Sequence, residues 1–144
     1  MIRDNNEIIE LSAIERKLIH LIKKSLKKVY KNDRYLLEHI KETANEYNYV
    51  AERSLVFRFG CYFENLIRKD IDFKEYHLDS EYNRNENYKK IMMGHAIIPD
   101  MILHKRGNNE NNFLIIEFKG HWNKKVENDY SKLEYFTSSE SEYK

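Results

Sequence analysis

The chain has 144 residues, the length of one ordinary domain that can bury a core of its own. Its 25 lysine and arginine residues almost balance its 24 aspartate and glutamate residues, so nucleic-acid binding would have to depend on local basic patches. The single cysteine, Cys61, excludes an intramolecular disulfide and a cysteine-based zinc finger. Since no signal peptide and no apolar run of about 18 residues is present, we expect a cytoplasmic protein without a membrane partner.

The first 48 residues predict two amphipathic helices. Ser12 and Glu15 have the spacing of a capping box, and the helix that follows should reach about Tyr30. Asn32 and Asp33 can cap a second helix. The chain has one proline and four glycines and shows no linker, so we expect this helical pair to pack on the same core as the rest. The two apolar stripes are Leu11, Ile14, Leu18, Ile22, Leu26 and Val29, and then Leu36, Leu37, Ile40, Ala44 and Tyr47.

The polar side of the first predicted helix is basic. Such a stripe could follow a phosphate backbone, although a solvated helix face is the more common explanation. The candidate nucleic-acid contacts on it are Lys24, Lys27, Lys28 and Lys31.

A third predicted helix begins near residue 50 and carries a carboxylate, Glu52, near the centre line of its apolar face. A carboxylate there is costly without a partner. It has either a functional role or a position in the open first turn, where the helix dipole favours a negative charge. The residues that share the apolar face are Leu55, Val56, Phe59, Phe63, Leu66 and Ile67.

The segment from His77 to Arg84 predicts a strand with one wet face, on which His77, Asp79, Glu81 and Asn83 alternate with less polar residues. Glu81 could approach a metal site on a neighbouring strand. Arg84 could bind a phosphate, or it could form an ordinary cross-strand ion pair.

A proline and an aspartate open the next predicted strand, and a Glu-x-Lys triplet closes the one after it. If the turn between them is a hairpin loop, His104 pairs roughly with Phe113, and Asp100 lies opposite Glu117 at about 4.5–5.5 Å between Cα atoms. Two carboxylates that close, with Lys119 on the same side as Glu117, repel each other unless a cation lies between them. Oxygen ligands favour Mg²⁺. The two strands span residues 97–104 and 113–119, and the loop spans 106–111.

These features form a set. In chain order the motifs are Glu52-Arg53-Ser54, Glu81-Tyr82-Asn83-Arg84, Pro99-Asp100, His104-Lys105-Arg106-Gly107, Glu117-Phe118-Lys119 and Asp129 through Leu133. Together they resemble the PD-(D/E)XK nuclease superfamily, and most closely its small uncharacterised bacterial members. The resemblance implies an α/β fold with a restriction-endonuclease-like core of helix, three-strand meander and helix at 49–137. Two extra helices at 1–48 would precede this core within a single domain, 1–144.

The resemblance also implies a site and a reaction. Asp100, Glu117 and the backbone carbonyl of Phe118 would hold Mg²⁺ or Mn²⁺, and Lys119 would orient the attacking water. Glu52 would hold a water of the ion's shell or a second ion. The residues implied in supporting roles are Glu81, Arg84, Asp129 and Lys132. The expected function is metal-dependent hydrolysis of phosphodiester bonds in nucleic acid, with DNA favoured over RNA.

Two alternative functions stay open. The fold could serve as an inactive module that binds nucleic acid or protein. The resemblance could also be a coincidence, in a helical protein whose β-hairpin mediates protein association and in which Glu117 and Lys119 are merely paired. The last strand of the superfamily core is not found before the polar tail at 138–144. The strand at 113–119 would then be a sheet edge, which the tail from Thr137 to Lys144 could protect by folding back. Pairing of this edge between two chains, which we favour, would instead give a homodimer.

Overall fold

The structure, a computed structural model, describes residues 2–4, 7–37, 52–82, 91–92, 95–107, 111–119, 127–139 and 141. These residues form three α-helices, a three-stranded antiparallel sheet and two short hairpins, which confirms the mixed α/β class. The helices are α1 (Ala13–Asn32), α2 (Glu52–Ile67) and α3 (Glu127–Thr137), with a 3₁₀ helix at Arg34–Leu36. The strands are β1 (Ile2–Asp4), β2 (Glu7–Ile9), β3 (His77–Ser80), β4 (Ile91–Met92), β5 (His95–Ala96), β6 (Met101–His104) and β7 (Asn112–Ile116).

The capping box that the sequence predicts opens α1. The Ser12 backbone N–H donates to Glu15 Oε2 at 2.6 Å, and the Glu15 N–H donates to Ser12 Oγ at 3.3 Å. The helix continues to Asn32, slightly beyond the predicted end at Tyr30. Its buried residues join one hydrophobic cluster with those of α2, so α1 packs on the core as expected. The α1 members of this cluster are Leu18, Leu21 and Val29.

The predicted second helix is not seen where it should begin. In the described stretch that follows α1, up to Leu37, the chain forms the short 3₁₀ helix, and Asp33 makes no side-chain cap there. Its carboxylate instead accepts from Arg58 Nε at 2.7 Å and from the Tyr62 hydroxyl at 2.8 Å. The capping role expected for Asp33 is therefore wrong, because the charged and phenolic donors of α2 bind its carboxylate. The rest of that apolar stripe, from Ile40 onward, lies outside the described residues.

Two short hairpins have no counterpart in the sequence prediction. β1 pairs with β2 inside the segment predicted to be helical, and β4 pairs with β5 before the sheet strand β6. Each strand has two or three residues. Strands that short are missed because alternation needs about four residues to be recognised.

The apolar face of α2 is buried as predicted. Val56, Phe59, Phe63 and Ile67 lie in the core, and Leu55 and Leu66 pack against it. The helix closely approaches β6 at Gly60, where an added Cβ would lie 2.5 Å from Met101 Cε. This close approach brings the middle of α2 against Met101, the first residue of β6.

The sheet has the order β3-β6-β7, so β6 is the central strand and all four of its residues are buried. Met101 and Leu103 face the cluster formed with α1 and α2, while Ile102 faces Phe136 of α3. The sheet therefore lies between α2 on one face and α3 on the other. Among the described residues no strand pairs with the outer edge of β7.

The register predicted for the last two strands is confirmed over most of its length. Met101 pairs with Ile116 and Leu103 with Leu114, which is the alignment that brings Asp100 opposite Glu117. An irregularity after Leu103 then shifts His104 opposite Asn112. The expected His104–Phe113 pair is therefore wrong by one residue, because a bulge inserts an extra residue into one strand.

β3 is shorter than predicted. The strand ends at Ser80, and Glu81 adopts φ 51°, a left-handed conformation that stops the extended chain. The Glu81 N–H donates to the Asp100 carbonyl at 3.2 Å. The prediction of a continuous strand is wrong at Glu81 and Tyr82, while Asn83 and Arg84 lie outside the described residues.

Candidate functional site

Asp100 lies in the bend that opens β6, directly after the buried Pro99. Its Oδ2 accepts a hydrogen bond from the Phe118 backbone N–H at 2.7 Å. This bond ties the start of β6 to the chain just beyond β7. The structure therefore brings Asp100 beside the Glu-x-Lys triplet, as the register predicts.

Glu117 is a deeply buried carboxylate. Only 5% of its side chain is exposed, and Lys132 of α3 donates to its Oε2 at 3.3 Å. Its Oε1 is buried and has no hydrogen-bond partner among the described residues. Burial raises the pKa of Glu117, and the negative charge of Asp100 raises it further. Another positive charge beside Glu117 would therefore be favourable.

Lys119 lies on the same side as Glu117, two residues farther on, and pairs with a different α3 residue. Its Nζ is 2.5 Å from Asp129 Oδ2. This contact raises the pKa of Lys119, and the carboxylates of Glu52 and Asp100 contribute to the same shift. Lys119 is therefore a cation at neutral pH. The carboxylates of Asp129, Glu52 and Asp100 all raise the pKa of Lys119, so these four charged side chains lie close enough to interact.

Two ion pairs connect the end of β7 to α3. Asp129 and Lys132 are three residues apart, which puts them on one face of the helix. Asp129 pairs with Lys119, and Lys132 pairs with Glu117. Of the four residues that the resemblance implies in supporting roles, Asp129 and Lys132 thus contact the Glu-x-Lys triplet directly.

Glu52 is the first residue of α2, so its carboxylate lies where the helix dipole favours negative charge. It also lines a groove of about 460 Å³ between α2 and the adjoining ends of β3 and β6. Asp100 lines the same groove, and the exposed Phe57 and Cys61 lie along it. Both interpretations of Glu52 fit its position. The other lining residues are Arg53, Val56, Gly60, Glu64, Leu78, Ser80, Glu81 and Met101.

Glu81 also lines the groove, but it is mainly exposed and its Oε1 lies 3.7 Å from Arg53 Nε. The turn at Glu81 thus places this carboxylate at the groove rim.

The candidate basic stripe lies along α1. Lys24, Lys27 and Lys31 are exposed, and Lys28 lies over the Tyr62 ring at 5.6 Å from its centroid. This arrangement is that of a solvated helix face with one lysine packed against an aromatic ring.

A charged cluster around the buried His104, on the α3 side of the sheet, was not predicted. His104 Nε2 and Arg106 Nε each lie 2.8 Å from Asp79 Oδ2. Contact with Arg106, and secondarily with His104, lowers the pKa of Asp79. The His104 ring is therefore hydrogen-bonded to Asp79. The sequence signal that could have predicted this cluster was the alternation along β3, which places Asp79 on the sheet face opposite Leu78.

The carboxylate oxygens of the candidate site meet only some of the requirements of a small, hard cation such as Mg²⁺. Within the described ranges no group of three or more His, Cys, Asp or Glu side chains is arranged to hold a metal ion. Mg²⁺, however, is often held by one or two carboxylates and retains several waters. Asp100 and Glu117 meet that smaller requirement, and the unpartnered Oε1 of Glu117 is a buried atom that such an ion would satisfy.

Comparisons with protein-family models, with curated proteins and with solved structures found no match. Assignment of a function therefore depends on the geometry of the site and on the motif resemblance.

Proposed function

We propose that this chain is a metal-dependent nuclease of the PD-(D/E)XK type. The observation that carries the proposal is the buried carboxylate of Glu117, which lies near Asp100 and keeps one oxygen without a hydrogen-bond partner among the described residues. Buried polar atoms are normally hydrogen-bonded, and a buried carboxylate whose pKa is perturbed is a candidate functional residue.

The order of elements supports a restriction-endonuclease-like core. α2 is followed by β3, β6 and β7 as an antiparallel meander, and α3 then packs on the sheet face opposite α2. This is the helix, three-strand meander and helix that the resemblance implies. The hairpin of β4 and β5 is an addition between the first two strands of the meander.

In this proposal Asp100, Glu117 and the Phe118 carbonyl would hold Mg²⁺ or Mn²⁺. The bound ion would polarise a phosphoryl oxygen and lower the pKa of a coordinated water. Lys119 stays protonated because of Asp129, so it donates hydrogen bonds to the water or the phosphate and offsets developing negative charge. It does not act as a general base at neutral pH. Glu52, near Lys119, would accept from a water of the ion's shell.

A second candidate is an inactive module of the same fold that binds nucleic acid or protein. The specific observation in its favour is that Lys119 and Lys132 already pair with carboxylates across the contact with α3. A site whose cations are all paired can be a purely structural connection between sheet and helix.

Cleavage assays separate the two candidates. Parent protein is incubated with single-stranded and double-stranded DNA and RNA in Mg²⁺, in Mn²⁺ and in EDTA. We expect cleavage that EDTA abolishes, and no cleavage by Glu117→Gln or Lys119→Ala. Glu134→Gln is the matched control, because Glu134 is an exposed carboxylate on α3 and its variant should cleave at the parent rate.

Two outcomes would count against the nuclease. Unchanged rates in both site variants would show that the site is misassigned. Binding of nucleic acid without cleavage under any metal condition would favour the inactive module. The preference for DNA over RNA is read from the same assay.

The cellular compartment and the basic stripe remain predictions. Among the described residues no helix is both long and apolar enough to cross a membrane. The single exposed cysteine is consistent with the reduced, cytoplasmic environment expected from the sequence.

A further inference from the structure

α3 places a cation on the carboxylate that the proposed ion needs. Lys132 Nζ lies 3.3 Å from Glu117 Oε2, and Glu117 has only one other carboxylate oxygen. The two partners differ in exposure: 5% of the Glu117 side chain is exposed, against 33% for Lys132. Glu117 is held in place by the surrounding structure, while the ammonium of Lys132 has access to solvent. Lys132 is therefore the partner that can move away.

The helix does not depend on this one contact for its position. Asp129 pairs with Lys119 on the same face of α3. Leu133 and Phe136 pack on the sheet residue Ile102 in a separate hydrophobic cluster. α3 should remain docked when the contact between Lys132 and Glu117 is broken.

Charge at the site explains why Lys132 would be held there in the absence of a metal ion. Asp100 and Glu117 repel each other, and Lys132 is the side chain that donates to Glu117 among the described residues. A divalent ion at the same carboxylates would remove this need. It would also repel the ammonium, because two cations cannot share one buried carboxylate at low cost.

We propose that Lys132 is a positioning residue that serves as the internal counter-ion of Glu117, holds its carboxylate in the metal-free protein and competes with the divalent ion for it. This inference rests on the proposed function, since it concerns regulation of the same metal site. Linkage makes the competition reciprocal: the ion weakens the Lys132 contact by the factor by which Lys132 weakens ion binding.

The test measures Mn²⁺ binding directly, by isothermal titration calorimetry, in the parent and in Lys132→Gln. Removal of the competing charge should tighten Mn²⁺ binding by about tenfold or more, which corresponds to about 1.4 kcal/mol. Lys132→Arg keeps the charge and should bind as the parent does. Lys105→Gln is the matched control: it removes an equal charge from an ion pair with the exposed Glu75 and should leave the affinity unchanged.

Thermal melting supplies a readout that a purely structural lysine would not change in the same way. In EDTA, Lys132→Gln should melt below the parent because Glu117 loses its counter-ion. In saturating Mn²⁺ the difference should disappear or change sign. A lysine that only joins α3 to the sheet would lower the melting temperature equally in both conditions.

The outcomes separate this inference from the function on which it rests. Mn²⁺ binding that is equal or weaker in Lys132→Gln, with the parent binding normally, would overturn the competition and leave the nuclease proposal intact. Mn²⁺ binding in Lys132→Gln with no detectable binding in the parent would support the competition and would show that Lys132 excludes the ion almost completely. Absence of binding in both proteins would overturn the metal site and this inference together.

Discussion

A divalent cation should stabilise the folded chain through Glu117. The carboxylates of Asp100 and Glu117 repel each other in the metal-free protein, and this repulsion contributes to the raised pKa of Glu117. An ion that binds the folded state alone stabilises it by mass action. At a free concentration one hundred times its dissociation constant, the gain in the free energy of unfolding is about 2.7 kcal/mol.

This gain converts into a measurable shift. The entropy of unfolding is about 2.1 cal/mol/K per residue, so 144 residues give about 0.3 kcal/mol/K. Division of 2.7 kcal/mol by that entropy gives an increase of about 9 °C in melting temperature. Differential scanning calorimetry in EDTA and across a Mn²⁺ series measures it.

Glu117→Gln should abolish the increase in melting temperature with Mn²⁺, and it should also change the melting temperature of the metal-free protein. A raised pKa in the folded state means that folding disfavours the charged form, so the neutral amide should melt at or above the parent temperature at pH 7. The folded state of the parent holds the proton more tightly than the unfolded chain does. The loss of unfolding free energy in the parent, relative to Glu117→Gln, is therefore complete above the pKa of Glu117 in the folded state. The loss disappears as the pH falls toward the pKa of a glutamate in the unfolded chain, about 4.3. Calorimetry in EDTA from pH 7 to pH 4 should show the two melting temperatures converge.

Two results would refute this reasoning. A parent melting temperature that ignores millimolar Mg²⁺ and Mn²⁺ would show that no ion binds between the carboxylates. If the ion raises the melting temperature of Glu117→Gln as much as that of the parent, the ion binds elsewhere. Glu134→Gln, which removes an exposed carboxylate from α3, should keep the full shift.

Three further predictions follow from the fold. Asp79→Asn should cost about 2 kcal/mol in urea unfolding, because it weakens charge-assisted bonds to His104 and Arg106. Since the folded pKa of Asp79 is lowered, the difference from the parent should hold above pH ~4 and fade as the pH drops through the folded value. Phe63→Ala, at a fully buried position, should cost about 3–5 kcal/mol, while Phe57→Ala, on the exposed side of α2, should stay within about 0.5 kcal/mol. The outer edge of β7 should pair with a second chain, so light scattering should show a dimer, and a single 17.6 kDa species at high micromolar concentration would contradict this.

The sequence predicts best those parts of the fold whose determinants are local. The capping box of Ser12 and Glu15 determines where α1 starts, because both of its hydrogen bonds lie within four residues. The apolar period of α2 predicts which side is buried. The alternation of β7 predicts the register that brings Asp100 to Glu117, because a slip of one residue would turn the buried side chains to the opposite face of the sheet.

The parts that sequence reasoning missed depend on partners distant in the chain. Asp33 is of a residue type that often caps helices, yet its carboxylate accepts hydrogen bonds from Arg58 and Tyr62 of α2. The sequence around Asp33 does not predict those donors. Glu81 continues an alternating pattern, but it adopts a left-handed conformation where its N–H meets the Asp100 carbonyl. In each case a tertiary hydrogen bond overrides a local preference.

The charges around the end of β7 argue for a cation rather than for a closed structural connection. Among the described residues three carboxylates influence the titration of Glu117 or Lys119: Glu52, Asp100 and Asp129. Two ammonium groups, Lys119 and Lys132, oppose them. Glu117 and Asp129 are each paired with one of these ammonium groups. Asp100, whose negative charge raises the pKa of the buried Glu117, has no ion pair among the described residues, and a divalent cation between these two carboxylates would supply one.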